Sequence, residues 1–151
     1  MKKQVSLVVA MFAMMAIGSS ASALTLKEKK QYKEWQDYLV SASSSYVKTA
    51  KDKCGYDIPV TMEDKFTTPF MAENANAASY CDEARSRISS MCEDATSKEA
   101  IKAKIKKIHC TLAKKEDEAS FKLASGTLTF TFGVKASNLS DKVKDFLENN
   151  L

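Results

Sequence analysis

Cys54, Cys81, Cys92 and Cys110 are the four cysteines of a 151-residue chain, and their positions constrain its fold more than any other feature. Whether they are thiols or bridges depends on where the chain goes. Lys2 and Lys3 precede an apolar run from Val5 to Ile17, which Gly18-Ser19-Ser20 interrupts. Ala21-Ser22-Ala23 then supplies a small-x-small cleavage pattern, so 1–23 reads as a secretory signal peptide and 24–151 as one exported domain. The apolar run of 13 residues is shorter than the ~20 that span a bilayer as a helix. An uncleaved N-terminal anchor is the alternative reading. The short Lys-Lys start and Met/Ala/Val-rich core suggest a bacterial periplasmic or extracellular protein.

An even cysteine count outside the cytoplasm implies disulfides, and helical geometry selects among the pairings. A helical pattern from Asn76 to Cys92 places Ala77, Cys81, Ala84, Ile88 and Met91 on one stripe. At ~1.5 Å per residue, Cys81 and Cys92 lie roughly 16 Å apart on it. A disulfide requires Cα atoms about 4.4–6.8 Å apart, so these two cannot bond each other. Thr96 and Glu99 have capping-box spacing and open a further helix, with Ile101, Ile105, Ile108 and Leu112 on its stripe. If the two helices form an antiparallel hairpin about Glu93-Asp94-Ala95, Cys81 and Cys110 are level with each other. The predicted bridges are therefore Cys81–Cys110 and Cys54–Cys92. Cys110 lies off the isoleucine stripe, which fits better if that helix ends near Ile108.

Upstream, Thr25 and Glu28 form another capping box. A helical pattern runs from there to about Lys51, with Tyr32, Trp35, Leu39, Ala42, Tyr46 and Ala50 on one stripe and Tyr38 at its edge. Ser41, Ser43, Ser44 and Ser45 weaken its middle, because serine competes for backbone hydrogen bonds. Gly55 is a C-terminal stop. Over 55–73, Pro59 and Pro69 forbid a continuous helix. Ile58, Val60 and Met62 suggest a short extended piece there, and Phe66, Phe70 and Met71 plug the segment onto the core. After residue 119 the period becomes 2: Phe121 and Leu123, the Ser125-Gly126 turn, then Leu128, Phe130, Phe132 and Val134 alternating with Thr127, Thr129, Thr131 and Gly133. This is a β-hairpin with one apolar and one threonine-rich face. His109 to Ala113 is a candidate third strand across the acidic turn 115–118. Asn138 or Ser140 caps a final helix with Leu139, Val143, Phe146 and Leu147 as its stripe. The expected architecture is α+β: three helices, two in an antiparallel hairpin, then a small antiparallel meander and a short C-terminal helix, held by two disulfides.

Several functions are poor fits to these residues. Formal net charge is +4, and +2 once Lys2 and Lys3 are removed with the leader, which is no footprint for nucleic-acid binding. The single histidine, His109, cannot build a multi-imidazole zinc site. There is no C-x-x-C, no G-x-S-x-G elbow and no calcium-binding loop in the sequence. His109 adjoins Cys110, but neighbours on a strand point to opposite faces, and an oxidised cysteine is no nucleophile. The pairs Asp82-Glu83 and Glu93-Asp94 and the run Glu116-Asp117-Glu118 read as solvated helix ends and turns. Asn138-Leu139-Ser140 matches a glycosylation sequon, but a helix cap is the better reading. No cofactor or metal is implied and no catalytic residue is assigned. The aromatic stripe reads first as core; the expectation is a small exported inhibitor-like or envelope-associated protein that binds a protein partner, with Tyr32, Trp35, Tyr38, Lys102 and Lys106 as a candidate interaction surface. The alternatives are a small exported hydrolase using unassigned carboxylates, and a membrane-surface protein using the lysine-rich helix 97–109.

Overall fold

The computed structural model describes residues 23–41 and 45–151. The leader assignment over 1–22, and Ala42, Ser43 and Ser44 of the proposed long helix, lie outside the described residues. Among the described residues, six helices and a four-stranded sheet share one apolar core.

Helix α1 spans Leu26–Val40. Its capping box is complete: the Glu28 amide donates to Thr25 Oγ1 at 3.3 Å and the Thr25 amide to Glu28 Oε2 at 2.8 Å. The helix ends at Ser41, whose backbone is extended at ψ 119°, so the single helix expected to Lys51 is two. Helix α2 covers Ser45–Cys54 and stops at Gly55, where φ is +78°. The break also splits the expected stripe: Trp35, Leu39 and Ala50 are buried, whereas Tyr46 is exposed.

Strand β1, Val60–Met62, is the expected extended piece. A 3-10 turn at Asp64–Phe66 leads into helix α3, Thr67–Ala72, where Pro69 sits in the first turn and needs no amide partner. Phe66 and Phe70 are fully buried, as expected for the plug. Phe70 meets Trp35, Phe66, Tyr80 and Phe132 edge-on, with ring centroids 5.4–6.5 Å apart.

Helix α4, Ala77–Met91, starts where Asn76 Oδ1 accepts from the Ala78 amide at 3.0 Å. Helix α5, Ala95–Lys104, is capped by Asp94 and not by Thr96: Asp94 Oδ1 accepts from the Ser97 amide at 2.7 Å. It is also shorter than its isoleucine stripe. Ile105 is already extended, and the Lys106 and Lys107 amides donate to Gly126 O, which draws the chain into the sheet. Strand β2, Lys107–Leu112, therefore carries Ile108 and Cys110 inward and His109 outward. The return path beside α4 is α5 followed by β2, and this resolves the misfit of Cys110 with the isoleucine stripe.

Strands β3, Ala119–Ala124, and β4, Thr127–Phe132, form the expected hairpin. Ser125 and Gly126 both have positive φ, +49° and +76°, as a two-residue type I′ turn requires. The pairing around this hairpin is not a meander. The sheet order is β1-β2-β4-β3, with β2 parallel to both β1 and β4. The connection from β2 to β3 must therefore pass the end of β4, and it does so over Gly133. A Cβ on Gly133 would stand 2.2 Å from Lys115 O and 2.3 Å from Glu116 O. The crossing is tied down by Gly133 N to Glu118 O at 2.9 Å and Lys135 N to Glu116 O at 2.7 Å. Helix α6, Leu139–Asn150, buries Leu139, Val143 and Leu147. Asn138 precedes it in a left-handed conformation, with no cap bond from its side chain.

The bridges are Cys54–Cys92, with Cα atoms 5.1 Å apart, and Cys81–Cys110, at 6.1 Å. They match the pairing reached from helical rise. They close separations of 38 and 29 residues, and each is worth on the order of 3–4 kcal/mol in the chain-entropy treatment.

Two outcomes are expected. Mass spectrometry of an unreduced digest should recover peptides joined through Cys54–Cys92 and Cys81–Cys110, and a Cys81–Cys92 peptide would contradict the continuity of α4. Gly133→Ala should lower stability in urea by several kcal/mol, since the added methyl meets the backbone of the crossing loop. A wild-type midpoint would show that the loop does not cross there.

Candidate functional site

The buried face of α4 contains two charged residues among alanines, cysteine and isoleucine. Asp82 is 1% exposed and Arg85 2%. Arg85 Nε donates to Asp82 Oδ1 at 2.7 Å, and Nη1 donates to Leu39 O, near the end of α1, at 3.0 Å. Nη2 is crowded against the same Asp82 oxygen and makes no hydrogen bond. Burial pushes the Asp82 carboxyl up, and the Arg85 guanidinium pulls it back. Tyr38 stands near the pair, and its hydroxyl is raised by partial burial and by the Asp82 charge.

Arg85 lines a cleft of about 410 Å³, within the ~300–1,000 Å³ range of small-molecule sites. The cleft lies between the end of α1, helix α2 and the chain entering β1. Its walls are Leu39, Val40, Val47, Ile58, Pro59 and Val60. Val40 is 70% exposed on its rim. Lys48, Lys51 and Asp57 complete the lining, with Lys51 Nζ 3.8 Å from Asp57 Oδ1.

The residues singled out from sequence are dispersed. Trp35 is a core residue at 5% exposure, in edge contact with Phe70. The Tyr32 hydroxyl donates to Met62 O at 2.7 Å, which secures α1 against β1. Tyr38 borders a separate, more polar cleft of about 280 Å³ with Tyr46, Ser79, Glu83, Ser86 and Ser140. Lys102 and Lys106 are exposed at the end of α5, where Lys106 Nζ donates to Lys102 O. The apolar side of α5, Ile101 and Ile105, is fully buried.

The carboxylates singled out also separate. Glu93 pairs with Lys53, next to the Cys54–Cys92 bridge, and is held below the usual carboxylate range by that lysine. Asp94 is lowered by its cap bonds to Ser97. Glu116 pairs with Lys135 at 2.6 Å. His109 Nδ1 shares a hydrogen bond with Thr61 Oγ1 at 2.9 Å on the outer sheet face, away from Cys110. Among the described residues no group of three or more His, Cys, Asp and Glu is placed to hold a metal ion. Comparison with family models, curated proteins and solved structures finds no match to this chain.

The cleft was not read from sequence, although one signal pointed to it. Asp82 and Arg85 fall within the stripe of Ala78, Cys81, Ile88 and Cys92 at helical spacing, and two charges on a core face demand a partner or a use.

Breaking this pair should cost more than removing it. Arg85→Met alone leaves Asp82 buried without its partner, at an expected ~3–5 kcal/mol in urea unfolding. Asp82→Leu combined with Arg85→Met should recover most of that loss. Equal losses in the single and double variants would contradict the pairing.

Proposed function

We propose that this chain is an exported, non-catalytic binding protein that takes an apolar group into the cleft between α1, α2 and β1. One observation carries the reading: aliphatic side chains from three separate elements converge on an open cleft, and one of them, Val40, stays 70% exposed on its rim. A valine left in water gives up its transfer free energy, about 1.5–3 kcal/mol when fully buried, and an apolar occupant would recover it. The rim lysines Lys48 and Lys51 give the site a polar border, the usual arrangement of an apolar pocket with a few polar groups that orient the ligand.

Export is supported by the signal-like order of residues 1–23, and the two bridges are compatible with an oxidising compartment. No described helix is long and apolar enough to cross a membrane.

N-phenyl-1-naphthylamine, an uncharged apolar fluorophore, tests the site. Its fluorescence should rise on titration with the oxidised protein. Val40→Asp together with Val47→Asp should weaken binding about tenfold or more, because each carboxylate would be desolvated by the occupant. Both positions are partly or largely exposed, so the variant should melt like wild type. Unchanged affinity in a folded variant would remove the cleft from the function.

A further inference from the structure

Resting on the reading of the cleft as a binding site, we infer that its ligand is an aliphatic monocarboxylate, with the alkyl chain on the valine and isoleucine walls and the carboxylate against Lys48 and Arg85. Three observations point to this class.

The first is the wall chemistry. Leu39, Val40, Val47, Ile58, Pro59 and Val60 are all aliphatic, and the described lining includes no aromatic ring on which a planar ligand could stack. Branched aliphatic side chains make dispersion contacts along a flexible hydrocarbon without requiring a flat face.

The second is Arg85. It is 2% exposed, yet it lines the cleft. Two of its nitrogens are used, Nε on Asp82 and Nη1 on Leu39 O. Nη2 is in ion-pair contact with the same Asp82 oxygen and makes no hydrogen bond of its own. Guanidinium has five N–H donors in a planar fork that suits a carboxylate, and a buried donor without an acceptor is costly. A carboxylate entering the cleft would add an acceptor for the guanidinium donors that Asp82 and Leu39 O leave open.

The third is the charge balance. Asp82 compensates Arg85, and Asp57 lies 3.8 Å from Lys51. Lys48 makes no ion pair among the described residues, so one positive charge is uncompensated. That balance suits a head group of single negative charge and disfavours a doubly charged phosphate monoester. It also disfavours a cation.

Displacement of bound N-phenyl-1-naphthylamine by three probes of equal chain length separates the possibilities: dodecanoate, dodecanol and dodecyltrimethylammonium. Dodecanoate should displace the fluorophore at about tenfold lower concentration than dodecanol, the scale of charge-assisted hydrogen bonds. The ammonium should be the weakest of the three. Lys48→Gln should shrink the advantage of dodecanoate. Asp82→Leu with Arg85→Met, which removes the pair's charges, should shrink it as well, and adding Lys48→Gln should abolish it. If dodecanoate and dodecanol compete equally, or if neither displaces a fluorophore that does bind, the carboxylate assignment is wrong and the apolar site stands. If the fluorophore itself fails to bind, the site reading fails first, and the carboxylate assignment goes with it.

Discussion

Helix α4 is clamped at both ends, and the rest of the structure is arranged around that fact. Cys81, in its second turn, is bonded to β2, and Cys92, at its cap, is bonded to the last residue of α2. Eleven residues of helix hold these two attachments roughly 16 Å apart. The same rigid spacing that prevents the two cysteines from meeting makes each of them an anchor for a different layer. One bridge fixes the sheet to α4 and the other fixes the helical portion to it.

Between the two anchors, α4 presents Asp82 and Arg85 to the inside. A buried ion pair is weak grounds for stability, since desolvation cancels much of the attraction. Its position is more informative. Arg85 reaches Leu39 O near the end of α1, and α2 is held at its far end by Cys54. The two helices that wall the cleft are therefore each tied to α4 by a different bond. Val40 and Val47 can face a shared space because bonds to α4 set the separation of their helices. The guanidinium that holds α1 is also the group that lines the cleft.

The period-2 and period-3.6 patterns, the glycine stop at Gly55, the capping box at Thr25 and the disulfide pairing were all legible from residue spacing, because each depends on local geometry. The pairing survived an error in its premise. Cys110 is level with Cys81 whether the chain returns as helix or strand, provided that it returns. Strand order was not legible. That β2 lies beside β4 and not β3 depends on long-range pairing, and its local trace is Gly133, whose missing side chain lets the connecting loop pass. The end of α5 was obscured by Ile105, Ile108 and Leu112, which continue a helical step but are claimed by Gly126 O and the sheet. Tertiary pairing outweighed a weak local preference there. In the aromatic stripe, Trp35 packs into the core, as its helical spacing suggests, and the Tyr32 hydroxyl secures the edge of β1. The cleft required three elements to converge, which no single stretch of sequence displays.

The central claim is that one cleft, floored by a residue of α4, takes an aliphatic chain with an anionic end. Chemical-shift mapping by two-dimensional NMR with dodecanoate tests it most directly. Shifts should concentrate on amides 39–40, 47–51, 57–58 and 60, together with the Arg85 Nε–H resonance. Shifts centred on the lysine end of α5, around Lys102 and Lys106, or on the outer sheet face around His109, would place binding elsewhere and contradict the claim.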